Sequence, residues 1–271
     1  MRVRIIRRKY MAIDPAPWTL EFTRHSRLPW TCPGCGEGRL QIRDGTLHTG
    51  QTSESLESQK HPASDPEWVE GRFTCMLTCP HCDGQIALSG DYRVQDDRHY
   101  DEFGEAGDYE NYYRPRFFSD APHILSIPAG APEAVSEQLR KSFQLYWTDV
   151  EACANSIRIA VEKLLTSQGV PRTNGRQAAQ SGKKRSFLTL HSRIELFRAK
   201  NQAAADALMA VKWIGNAGSH SAATRSSDLL DGYALMSFAL DGLYVKRDAR
   251  IGALTRAINR RRAPRSRRRG P

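Results

Sequence analysis

Two pairs of cysteines constrain this chain more than any other feature. Cys32-Pro-Gly-Cys35-Gly36 and Cys79-Pro-His-Cys82-Asp83-Gly84 are both Cys-x-x-Cys turns in a Pro and Gly context. Two intervening residues let both thiolates of a turn point at one ion, and Pro and Gly help the turn leave its backbone N–H groups facing the sulfurs. Two such turns supply four soft ligands in the tetrahedral arrangement of a closed, structural zinc site. Cys32, Cys35, Cys79 and Cys82 are therefore the expected metal ligands, with zinc the expected ion. The 43 residues between Cys35 and Cys79 exceed a short-finger spacing, but an insertion between hairpins costs only a logarithmic loop entropy. A redox dithiol accounts for one Cys-x-x-Cys and not for two of matching context. Four thiolates also leave no open position for a catalytic metal.

The other candidate ligands read differently. His81 lies inside a knuckle and is expected as an exposed neighbour rather than a ligand. Cys75 alternates with Phe73 and Leu77, the pattern of a buried strand residue, and Cys153 falls in an apolar stripe as a small core residue. No export signal accompanies the six cysteines, which favours metal binding over a disulfide framework.

The runs 73–77 and 85–89 flank the second knuckle and predict a hairpin whose turn holds the metal. Residues 52–65 are polar and predict a loop. Residues 96–116 are acidic, rich in tyrosine and interrupted by Gly104 and Gly107, which predicts irregular structure. Residues 120–128 read as an extended connector bounded by proline. After Pro132 the texture becomes helical. Val135, Leu139, Phe143, Tyr146, Trp147 and Val150 recur at three- and four-residue spacing, and Ile157, Val161, Leu164 and Leu165 continue the stripe. This predicts one helix ending near Gly169. A polar loop over 172–184 follows, then helical patterns at 190–197, 204–214, 229–244 and 251–259.

Charge is informative once located. The net charge is +10, but residues 1–9 carry five Lys or Arg and residues 256–271 carry eight Arg, with no acid in either. Without them residues 10–255 stand at −3. Such tails are solvated and suit contact with phosphate backbones, which makes Arg260, Arg261, Arg262, Arg265, Arg267, Arg268 and Arg269 candidate nucleic-acid contacts. No apolar run approaches the roughly 18 residues of a membrane-spanning helix, and the basic start lacks an apolar h-region. The expectation is a cytoplasmic protein without a membrane partner.

One further segment stands out, Val211-Lys-Trp-Ile-Gly-Asn-Ala-Gly-Ser-His220. Gly215 and Asn216 read as helix terminators, and the small residues after them set Asn216 and His220 close together. With Phe143-Gln-Leu-Tyr-Trp-Thr-Asp149, Ile157-Arg-Ile-Ala-Val-Glu-Lys-Leu-Leu165 and Leu190-His-Ser-Arg-Ile194, this segment makes residues 113–245 resemble the domain of unknown function 4145. That family is helical and related to the HEPN (higher eukaryote and prokaryote nucleotide-binding) superfamily, and its members often carry an N-terminal Cys-x-x-Cys pair. The residue patterns place a boundary near residue 128 and, with the resemblance, predict an α+β chain. It would comprise a basic N-terminal segment (1–20), a zinc-ribbon-like β module (21–127), a HEPN-like helical bundle (128–249) and a C-terminal helix with an arginine-rich tail (250–271).

The resemblance also implies a bacterial setting, with defence among its roles. Active HEPN ribonucleases use an arginine followed by a polar residue and then a histidine, usually across a dimer. Here Asn216 and His220 match the latter two, while Gly215 occupies the arginine's place; Lys212 and Arg158 are the nearest cations. Three readings stand open. The first is a binding protein for RNA, DNA or a protein partner. The second is a metal-independent endoribonuclease using His220. The third is a scaffold that dimerises through the stripe containing Phe143, Tyr146 and Trp147. Arg158 and Glu162, spaced i,i+4, also read as an ordinary ion pair.

Overall fold

Strand alternation is strongest on either side of the second cysteine pair, and there the chain folds as a hairpin. The computed structural model describes residues 13–101, 104–106, 108–175, 184–217, 225–245 and 255–260. After a short helix, α1 (Ala16–Thr19), strands β1 (Gln41–Ile42) and β2 (His48–Gln51) pair along one edge of β3 (Glu70–Thr78). The other edge of β3 pairs with β4 (Gln85–Asp96). β5 (His99–Asp101) and β6 (Gly104–Ala106) form a separate ribbon, and β7 (Tyr109–Phe118) returns to pair with β4. All pairings are antiparallel. Phe73, Cys75 and Leu77 on β3, and Ile86, Leu88 and Tyr92 on β4, point into the core. Burial pushes the Cys75 thiol up to about 12.

Two segments differ from the sequence-based expectation. Residues 52–65 are not all loop, because α2 (Ser53–Ser58) forms where the Thr52 hydroxyl accepts from the Ser55 N–H at 3.2 Å. Residues 96–116 are not irregular but supply β5, β6 and most of β7. Strand propensity depends on burial against a partner, and β4 provides it by covering Tyr113 and Phe118. Pro115 faces Gly90 where the β4–β7 register shifts, a position that tolerates a residue without an N–H. A Cβ on Gly90 would lie 2.0 Å from the Arg114 carbonyl oxygen and 2.8 Å from Phe73.

The expected single helix is two. α3 (Glu133–Leu145) and α4 (Val150–Ser167) are separated at Asp149, whose carboxylate accepts from the Ala152 N–H at 2.8 Å. The apolar stripe runs across the break because both helices bury their faces in one core. α4 ends near Gly169 as expected. Gly169 has φ +76°, its N–H bonds Thr166 O at 3.0 Å, and the Val170 N–H bonds Leu165 O at 2.9 Å, a Schellman closure. α5 (Leu190–Arg198), α6 (Gln202–Ala217) and α7 (Ser226–Tyr244) follow, with a further helical turn at 255–260. α4 lies at the centre, touching α3, α5, α6 and α7. A buried hydrogen-bonded group joins three of them: the Tyr233 hydroxyl donates to Ser142 Oγ at 2.9 Å and lies 3.2 Å from Cys153 Sγ.

Sheet and helices share one hydrophobic core. Aromatic rings make the join. Phe22 and Trp30 pack under the sheet, Trp30 meets Phe118 at 5.1 Å, and Phe118 meets Trp147 at 4.6 Å. Trp18 packs on both Tyr146 and Trp147. Of the aromatic stripe expected to dimerise, Phe143 (0% exposed) and Tyr146 (3%) are internal, and Trp147 is half-buried. Gly215-Asn216 does not end its helix either, since α6 continues to Ala217. Gly215 marks instead the point where α6 crosses α4; a Cβ there would lie 2.9 Å from Arg158 Cβ and 3.2 Å from Ala154 O.

Gly90→Ala should destabilise the protein by about 1–3 kcal/mol, since a methyl has no room to relax against backbone. Gly50→Ala, where a Cβ would meet nothing within 4 Å, should leave the midpoint of thermal unfolding almost unchanged.

Candidate metal centre

The two cysteine pairs use one backbone device twice. In the first knuckle the Gly36 N–H bonds Cys32 O at 2.9 Å and the Cys32 N–H bonds Gly38 O at 2.8 Å. In the second the Asp83 N–H bonds Cys79 O and the Cys79 N–H bonds Gly84 O, both at 2.9 Å. Each closing residue has positive φ, +72° at Gly36 and +56° at Asp83, which glycine takes freely and aspartate tolerates. The first knuckle is anchored by the Thr31–Arg39 bridge, and the second is the turn between β3 and β4.

These turns bring all four sulfurs within 4.8 Å of one another. Cys32 and Cys82 are 3.8 Å apart, and Cys35 and Cys79 3.6 Å. Metal–sulfur bonds of about 2.3 Å at the centre of a tetrahedron give edges of about 3.8 Å. The spacing therefore fits a four-thiolate metal site and is far beyond the roughly 2.05 Å of a disulfide. Gly38 is what permits it. A Cβ at that position would lie 2.3 Å from Cys79 Sγ and 2.9 Å from His81 Cβ.

The electrostatics point the same way. The N–H groups of Gly38 and Glu37 hold the Cys35 thiol down at about 6. The Gly84 N–H also favours a thiolate at Cys82, but the Cys79 and Cys35 sulfurs beside it push that thiol up to about 12. Neighbouring like charges resist ionising together, and a cation among them removes the resistance. Cys32 and Cys79 are buried in the sheet core while Cys82 is exposed. His81 turns away from the sulfurs and meets Glu37 of the other knuckle, Nε2 to Oε2 at 2.9 Å.

The described helical candidates fall in one neighbourhood. Arg158 pairs with Glu162 at 3.2 Å and lies against Gly215. Lys212 is buried, with Nζ 3.5 Å from the ring centre of Trp213. Asn216, partly buried, stands one turn further along α6. His220 lies outside the described residues, so its relation to Asn216 does too. Of the seven tail arginines expected to contact nucleic acid, Arg260 is described and is exposed; Arg261, Arg262, Arg265, Arg267, Arg268 and Arg269 lie outside the described residues. Sequence reasoning passed over Arg193, which is buried and donates to Glu162 O, Thr166 Oγ1 and Val170 O beyond the last turn of α4. It also passed over Gly38, whose importance depends on a sulfur 41 positions away in the chain.

Chelation or Cys79→Ser should raise amide hydrogen exchange most across 32–38 and 79–84 and least across α4 to α7, which pack on one another. His81→Ala should retain one bound metal ion per chain, measured by elemental analysis. Loss of the ion in that variant would make the histidine a ligand.

Comparison with known proteins bears on both halves. No curated protein and no solved structure matches the chain. Residues 20–118 match one family model, a Domain of unknown function (DUF8608), and residues 140–261 match another, a Domain of unknown function (DUF4145), the family whose resemblance the helical segments carry.

Proposed function

We propose that this is a zinc-stabilised nucleic-acid-binding protein, with a zinc-ribbon-like β module and a HEPN-like helical region. The zinc reading rests on the donor set. Four thiolates at tetrahedral spacing suit zinc, and iron is the other ion that commonly takes them. With the coordination sphere full, the ion would hold the two knuckles together and do no chemistry.

One observation carries the nucleic-acid reading. Residues 171–271 hold 21 Lys or Arg against six Asp or Glu, whereas residues 10–170 hold 14 against 24. The positive charge is thus not confined to the two ends; it begins where α4 stops and continues to the arginine tail. A chain so polarised presents one electropositive part to a polyanion. Displacement of counterions from the phosphates would then drive association.

Two measurements test this. The purified protein should be colourless and hold one zinc; an absorbing iron–thiolate chromophore would replace zinc with iron. Binding to a labelled 20-nucleotide RNA should weaken steeply with salt. Deleting residues 256–271 should reduce the log–log slope by about 0.7–0.9 for each phosphate that the tail neutralises. Absence of binding at low salt would remove the reading. RNA that is cut by wild type and spared by His220→Ala would move the assignment to a HEPN-type ribonuclease.

A further inference from the structure

The positive charge of the helical region is unevenly used. From residue 163 to residue 194 the chain has seven Lys or Arg and no acid. Five of the seven fall in the connection between α4 and α5, whose two arms are described at 171–175 and 184–189. The arms are paired. Thr173 bridges Phe187, the Leu188 N–H bonds Arg172 O at 2.9 Å, and the Asn174 N–H bonds Ser186 O at 3.1 Å. The Asn174 side chain adds a bond from the Ser186 N–H at 2.7 Å. These bonds make the base of the connection an ordered two-stranded platform.

That platform carries Phe187, 81% exposed, the most exposed large apolar side chain among the described residues. Residues two apart on an extended arm share a face, so Arg185 and Phe187 lie side by side. The bond from Arg185 Nε to Thr173 Oγ1, 3.1 Å, fits this, since Thr173 is the residue directly across from Phe187. Beside them a cleft of about 570 Å³ is lined by Pro171, Thr173, Asn174, Arg185 and Leu196. Arg172 and Lys184, one position off that alternation, belong to the other face of the same narrow ribbon and are exposed. Among the described residues no carboxylate forms an ion pair with Arg172, Lys184 or Arg185. The outer face of the sheet is different: there Arg72 and Arg116 are held by Asp91, and Arg93 by Glu21.

We propose that this platform binds single-stranded nucleic acid, with a base stacked on Phe187, a neighbouring phosphate against Arg185, and the continuing backbone drawn round the narrow ribbon to Arg172 and Lys184. The inference rests on the nucleic-acid reading above and gives it a site. An exposed ring beside the Arg185 guanidinium, on a ribbon whose described cations have no carboxylate partner among the described residues, matches the two needs of a single strand, a π-surface for the base and positive charge for the backbone. A duplex hides its base faces and would gain only from the charge.

The test uses the full chain with three probes of equal length: a 20-nucleotide RNA, the matching single-stranded DNA and the duplex. Phe187→Ala should weaken single-strand binding about tenfold, leave the salt slope unchanged and barely affect the duplex. Phe187→Trp should keep wild-type affinity and show fluorescence quenching when the strand binds. The triple variant Arg172→Gln, Lys184→Gln, Arg185→Gln should lower the salt slope by about 2. Unfolding midpoints of all variants should stay at the wild-type value, since these side chains are exposed. If wild type binds the single strands but Phe187→Ala binds them equally well, the site is overturned and the nucleic-acid reading survives. An equal loss on the duplex also overturns the stacking. A wild type that binds none of the probes removes both.

Discussion

The meeting of the two cysteine knuckles is the constraint on which the β-rich half is arranged. Four sulfurs within 4.8 Å of one another tie residues 32–38 to the turn between β3 and β4. That closure requires the absence of a side chain at Gly38, positive φ at Gly36 and Asp83, and backbone N–H groups aimed at sulfur. The segment between the knuckles then has its two ends at one place. It supplies β1 and β2 to the free edge of β3, together with α2. A metal ion at the centre would offset the repulsion that four sulfurs otherwise suffer.

The knuckles do not hold the molecule alone. Phe22, Trp30 and Phe118 under the sheet continue into Trp147, Trp18 and Tyr146 at the edge of the helices. Large rings bury much apolar area per residue and accept edge-on contacts at these distances, which lets two differently patterned halves share one core. The same packing takes Phe143 and Tyr146 out of reach of any second molecule. The surface better suited to a ligand is the charged one at the far end of α4.

That surface is where charge and exposure coincide. The arginines on the outer sheet face already have carboxylate partners, and Arg158 has Glu162. Cations so paired offer little net field to a ligand. The connection between α4 and α5 has cations without acids, an exposed ring and a backbone stiffened by paired arms. In the net charge of residues 10–255 this cluster vanishes, because acids elsewhere in the middle of the chain cancel it.

Several features could be read from residue order because they depend on near neighbours. The Cys-x-x-Cys turns, the hairpin around the second one, the end of α4 at Gly169 and the Arg158–Glu162 pair all follow from spacings of a few residues. The gathering of Cys32, Cys35, Cys79 and Cys82 at one point was likewise legible, since two matching turns leave little else for their thiols to do. Residues further apart in the chain decided the rest. Strand β7 forms from an acidic, tyrosine-rich segment beside β4, and Gly215 sits inside α6 where a Cβ would have no room against Arg158 on α4. The break at Asp149 was invisible because one apolar stripe serves two helices packed on one core. Local order sets what a segment can become; burial against a distant partner, which spacing does not encode, decides which of those forms it takes.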